Sequence, residues 1–217
     1  MGRWSGAVRR GAGLGAMASV ALAACQKVDA PTPTPPLAPA AQRAAAEKIA
    51  AGFADVCLHT TDALEATRAL SARGWPRFGT VWREPNSVFY AAKPSSASPA
   101  GLFVNGDRRL GGLAIDQLAC VGHYPAEGDG PMVKAIQRRW GEGQERTGRA
   151  PPTRAWAFRM TDAGLSPMPI EAAFGGPATA LTLRSLRPGE ALVFIQVTYN
   201  PAYNDVGSIM SVRRPAG

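Results

Sequence analysis

Apolar residues recur along this chain with two periods, and the change between them divides it. From residue 42 to 58 alanine is abundant, and Ile49, Phe53, Val56 and Cys57 fall at i, i+4, i+7 and i+8. That spacing predicts a helix with one buried face. Thr60-Thr61-Asp62 interrupts it. Asp62 and Glu65 have capping-box spacing, with Thr61 an equal candidate for the cap. A second helix is expected to run to Arg73, with Ala63, Ala66, Thr67 and Leu70 facing inward. Gly74 suits a left-handed cap, and Pro76 forbids continuation.

Beyond that point the period shortens to two. Residues 81–83 and 88–92 are β-rich runs around the turn signal Glu84-Pro85-Asn86. Residues 102–104 lead into Asn105-Gly106, which predicts a tight hairpin with a return strand over residues 108–110. Another strand is expected within residues 111–124, strongest at 118–123, placing Cys120 opposite the helix that carries Cys57. Asp129-Gly130-Pro131 opens a third helix with Val133, Ile136 and Trp140 as its stripe and Gly141 as its end. Residues 142–153 read as a polar, flexible link.

Trp156, Phe158 and Met160 then alternate with Ala157 and Arg159, as in a strand with one buried face. Residues 164–169 read as a turn, and Leu181 and Leu183 alternate as a further strand. Residues 192–199 are apolar on both faces in their first half, which predicts a central strand ended by Asn200-Pro201. No internal repeat is visible. Helices first and hairpins after predict an α+β fold: a single two-layer domain with N-terminal helices packed on a mainly antiparallel sheet.

The N-terminus follows neither period. Residues 1–10 hold three arginines and no acid, and residues 11–24 carry no charge. Fourteen residues reach about 21 Å as a helix, short of the roughly 30 Å hydrocarbon core, so this has the shape of a signal peptide and not of a span. Leu22-Ala23-Ala24-Cys25 resembles the lipobox of bacterial lipoproteins, with Leu22 at −3, Ala23 at −2, Ala24 at −1 and Cys25 at +1. The resemblance covers the first 25 residues. It implies diacylglycerol on the Cys25 sulfur, cleavage before Cys25 and acylation of the new amine, which together anchor a chain stably. Gln26 follows where an inner-membrane retention signal would place Asp, so the outer membrane is favoured.

Pro31, Pro33, Pro35, Pro36 and Pro39 follow the anchor. Such a run favours polyproline II, and residues 30–40 would hold a domain about 30 Å off the membrane. The expected organisation is a signal peptide over 1–24, a lipidated cysteine and linker over 25–41, and one domain over 42–217.

With Cys25 acylated, Cys57 and Cys120 are left. In an oxidising compartment they are expected to pair, which is worth about 4 kcal/mol on the chain-entropy model. Two reduced core cysteines are the alternative. Phe53-Ala54-Asp55-Val56-Cys57-Leu58, Gly74-Trp75 and Leu118-Ala119-Cys120-Val121 are together similar to small secreted alphaproteobacterial proteins of unknown function. That resemblance spans roughly residues 50–125, implies the same pairing and implies no activity.

Composition narrows the chemistry. The chain has 217 residues, 46% of them hydrophobic and 18% charged, enough for one domain with a proper core. Its net charge of +8 falls to +5 once Arg3, Arg9 and Arg10 are removed with the signal peptide. That mild excess suits anionic headgroups and does not call for nucleic acid. Only His59 and His123 are present. There is no Gly-x-Ser-x-Gly elbow, no phosphate-binding glycine loop and no His-Glu-x-x-His. No metal site and no cofactor are expected. His123 could meet Asp116 or Glu127, the one seed of a hydrolase.

Lys134, Arg138, Arg139, Arg146, Arg149, Arg154 and Arg159 face only Glu142 and Glu145 locally, and the first six are the candidate binding residues. They are either a face for anionic lipid, lipopolysaccharide or acidic glycan, or the solvated side of the third helix and its following loop. Trp75, Trp82, Phe89, Tyr90, Trp156 and Phe158 are either core or the lining of a groove. The sum is a lipid-anchored envelope protein facing the periplasm, with a non-catalytic binding or structural domain. Its expected partners are the membrane through the anchor, and anionic envelope components or an envelope protein. An envelope hydrolase using His123 and nearby carboxylates is the alternative.

Overall fold

The computed structural model describes residues 33–60, 63–73, 82–84, 87–91, 101–105, 108–110, 113–146, 153–173 and 177–215. The expected signal peptide, Cys25, the first part of the expected linker, the Thr61/Asp62 cap, the Gly74/Pro76 stop, Trp75 and Arg149 lie outside them.

The first helix starts on a proline. Pro39 occupies the first turn of α1 (Pro39–Gly52), where its missing N–H would have had no helical partner. Gln42 folds back, and its Nε2 donates to the Leu37 carbonyl at 2.6 Å. Ala45, Ala46, Ile49, Ala50 and Phe53 are buried. The helix then widens into a π-turn (Phe53–Cys57), in which the Leu58 N–H reaches back five residues to the Phe53 carbonyl. The slower winding lets Val56, Cys57 and Leu58 all be buried in succession, which a regular helix does not favour. α2 (Ala63–Ala72) follows, with Ala66 and Leu70 buried.

The remaining elements are β1 (Trp82–Glu84), β2 (Ser87–Ala91), β3 (Gly101–Asn105), β4 (Arg108–Leu110), β5 (Leu113–Pro125), α3 (Gly130–Trp140), β6 (Gln144–Arg146), β7 (Thr153–Thr161), β8 (Gly164–Met168), a 3-10 turn (Ile170–Ala172), α4 (Pro177–Arg184), β9 (Ala191–Asn200) and β10 (Asp205–Pro215). The strands form one sheet in the order β1-β2-β3-β5-β10-β9-β7-β6, with β4 also on β5 and β8 also on β7. Each of these pairings is antiparallel. The α+β expectation, with N-terminal helices on an antiparallel sheet, is the observed architecture.

Register sorts the strand residues onto two faces. Leu118, Cys120 and Tyr124 of β5 lie beside Val212, Met210 and Val206 of β10. Val193, Ile195 and Val197 of β9 and Trp156 and Phe158 of β7 continue this face. α1, the π-turn, α2 and α3 cover it with Ile49, Phe53, Leu70, Met132 and Ile136. Each such side chain, fully buried, contributes about 1.5–3 kcal/mol. α1 approaches β5 closely at Gly122, where a Cβ would stand 2.6 Å from Ile49 Cγ2.

The structure departs from the sequence pattern in five places. Leu181 and Leu183 belong to α4, not to a strand; Thr179, Ala180 and Leu183 are buried and Leu181 is exposed. A four-residue alternation fits one turn of a helix as well as a strand, and Pro177 at its start favours the helix. This helix adds a partial third layer, because Leu183 and Leu186 pack with Ile170 and Ala173 on Ile115, Ala155, Ala157, Leu192 and Phe194 of the opposite sheet face. The link after α3 contains β6, and the expected turn at 164–169 contains β8. Asn105-Gly106 is not the reversal: β3 and β4 both pair with β5, and the chain reverses between Leu110 and Leu113. The pairing shifts by one residue between β3 and β4. Finally, β10 was not anticipated, yet it lies between β5 and β9. Ser208 and Ser211 break up its apolar run, and both are buried.

Candidate functional site

Cys57 and Cys120 form a disulfide, with the Cα atoms 6.4 Å apart and both residues fully buried. The π-turn carries Cys57 down to the sheet, and β5 presents Cys120 on the helix-facing side beside Met210. The bond joins the helical layer to the middle of the sheet. Its burial makes it a structural link, closed to solvent thiols in the folded state.

The second candidate is the basic group, which the fold divides. α3 starts with Pro131 in its first turn and ends at Gly141, whose φ of 79° suits glycine. Met132, Ala135 and Ile136 are its buried side. Lys134 and Arg138 therefore project outward, one turn apart. Arg138 and Arg139 both bond Glu47 of α1, Arg139 Nη1 donating to Oε2 at 2.7 Å. Partial burial opposes ionisation of Glu47, but the two guanidinium groups outweigh it and hold its carboxyl below the usual range. Their position in the last turn of α3 also suits the helix dipole.

The other basic residues lie elsewhere. Arg154, on β7, donates to the Gly143 carbonyl at 3.4 Å and lies 3.8 Å from Glu145. Arg146 sits in β6 opposite Thr153. Arg159 is engaged with Glu190 and donates to the Ser185 carbonyl at 3.0 Å, pinning the segment after α4 to β7. The Arg159 hydrogen bond, aided by the Arg187 N–H, holds the Glu190 carboxyl below its ordinary value. The helix half of the basic group thus forms a surface with α1, where Arg43 is also exposed. Arg43 was not singled out from the sequence; its i+4 spacing to Glu47 was the available signal.

His123 lies beside a carboxylate to which its spacing in the sequence did not point. Asp116 is on the same strand, seven residues away, which is about 23 Å of extended chain. Glu127 is exposed beyond the strand end. The carboxylate beside His123 is Asp205 of β10, with Nδ1 to Oδ1 at 3.5 Å. Gly207 is the register partner of His123, so Asp205 lies diagonally across on the same face. Ser208 faces the helices instead and donates to the Gly122 carbonyl at 3.0 Å.

Trp156 and Phe158 are core, not a groove. Trp156 Nε1 donates to the Gly141 carbonyl at 2.9 Å, and its ring lies against Gly143, where a Cβ would come within 2.4 Å. Among the described residues no group of three or more His, Cys, Asp or Glu is placed to hold a metal ion. No helix among them is long and apolar enough to cross a membrane.

Fold and surface together define a disulfide-linked α+β domain with a basic helical face. No protein-family model, no curated protein and no solved structure matches the chain.

Proposed function

We propose that this chain is a lipoprotein of the bacterial envelope, anchored through Cys25, whose α+β domain binds a partner without catalysis. The observation that carries the reading is Leu22-Ala23-Ala24-Cys25, preceded by a basic and then uncharged segment and followed by a proline-rich spacer. The Cys57–Cys120 bond supports it, because such bonds persist in oxidising compartments and are rare in the cytosol. Gln26 favours the outer membrane, with the domain in the periplasm.

The test is Cys25→Ser in the full chain, with membrane and soluble fractions separated and the native protein weighed. The native chain should begin at Cys25 and carry the added mass of acyl chains. The variant should leave the membrane fraction. Unchanged membrane association of the variant would overturn the anchor.

A further inference from the structure

We propose that the outward face of α1 and α3 is a docking surface for anionic phospholipid headgroups of the membrane that carries the anchor, an inference that rests on the lipoprotein reading above. The placement of the linker comes first. The Leu37 N–H bonds the Pro125 carbonyl at 3.2 Å, so the chain enters the domain at the end of β5 and continues directly into α1. From Cys25 to Leu37 there are twelve residues, which reach at most about 40 Å when fully extended. A spacer of this length keeps the domain within reach of its own membrane, and its charge distribution decides which side it presents.

The end where the linker enters and the helical face differ in sign. Where the linker enters, the domain carries Glu127 and Asp129 before α3, and the β9–β10 turn with Tyr203 and Asp205. The Ala126 N–H bonds the Asn204 carbonyl at 2.8 Å, which holds these two segments together. Standing on this end would press three carboxylates against anionic headgroups.

The helical face has the opposite balance. Arg43 is exposed one turn into α1, and Lys134 and Arg138 share the outward ridge of α3. Arg139 lies between the helices. Among the described residues Glu47 is the carboxylate that meets this group, and it pairs with Arg138 and Arg139. Neither Arg43 nor Lys134 makes an ion pair with a described residue. Glu142, just past the end of α3, accepts from Gln137 Nε2 at 2.6 Å, so four cations against two carboxylates leave the face at +2. Like charges one turn apart, as at Lys134 and Arg138, weaken a helix by themselves, and a negative surface removes that repulsion.

The test uses the mature, acylated full chain in lipid nanodiscs, either of phosphatidylcholine or with added phosphatidylglycerol. Lys27, Lys48, Lys93 and Lys134 are the only lysines, so acetylation by a membrane-impermeant reagent can be mapped residue by residue. Acetylation of Lys134 should slow by at least about threefold in the anionic discs and recover in about 0.5 M salt, where charge contacts are screened. The slowing should disappear in Arg43→Glu, a change on the exposed surface that leaves the core and the disulfide intact. Equal Lys134 rates in both discs, with acyl chains verified on Cys25 by mass, would overturn the docking face and leave the anchor standing. Absence of acyl chains on Cys25 would overturn both.

Discussion

Gly122 shows how single residues govern this packing. It sits in β5 with its missing side chain directly under Ile49, so the helix lies closer to the sheet than a Cβ allows. Gly122→Ala should therefore force α1 outward and cost about 2 kcal/mol, as overpacking of a full core does. The urea midpoint of the variant measures this; an unchanged midpoint would mean that Ile49 can move aside freely. Gly143 against Trp156 follows the same logic elsewhere on the same sheet face. Tyr124 is a different case. Its ring is fully buried, and burial with the nearby Asp129 charge pushes its hydroxyl well above the ordinary tyrosine value. It therefore stays neutral at neutral pH.

Between elements, two links hold the helical layer. The Cys57–Cys120 bond is covalent and ties the π-turn to β5. Replacing both cysteines by alanine should lower stability by about 4 kcal/mol, because the unfolded chain regains the entropy of the open loop. The shift should equal the effect of reductant on the native protein, read as denaturation midpoints. The Glu47 pairing with Arg138 and Arg139 is electrostatic and ties α1 to α3. Its pH dependence has a definite sign. Because Glu47 is held below its ordinary value when folded, its contribution is fully present above the unfolded carboxylate range. It is lost as pH falls through the lowered folded value. Between about pH 6 and about pH 3, Glu47→Gln should lose less stability than the native chain. Equal slopes would show that the pair contributes nothing. Glu190, held low by Arg159, keeps part of the acid sensitivity in that variant.

At the scale of the whole molecule, the last strand organises the sheet. β10 pairs with β5 over residues 205–215 and with β9 over residues 205–213, so it separates two halves that would otherwise not meet. Val206, Met210 and Val212 complete the helix-facing core, and Arg213 Nη1 donates to the Ala173 carbonyl at 2.7 Å on the other face. Removing residues 205–217 should therefore abolish the folded state, not trim an edge. The check is the near-ultraviolet circular dichroism of the truncated chain: a native-like aromatic signal would contradict the central role of β10. The same sheet orients the surface. By setting α3 beside α1 it gathers Arg43, Lys134, Arg138 and Arg139 on one side and leaves Asp129 and Asp205 at the end where the linker enters.

Several features were legible in the residues alone. The helical stripe Ile49, Phe53, Cys57 and the alternation Trp156, Phe158 mark buried faces because their periods are those of the backbone itself. The pairing of Cys57 with Cys120 followed from a count of thiols once Cys25 was set aside. The lipobox we propose is a linear signal, so the sequence carries it whole, and the anchor is a proposal from that sequence. What only the tertiary structure decided was set by contacts between distant segments. The strand order, the central place of β10, the helical state of residues 177–184 and the placing of Asp205 beside His123 all depend on which segments lie side by side. Local spacing holds no record of that, because antiparallel pairing brings together residues more than eighty positions apart, as in Ser208 and Gly122.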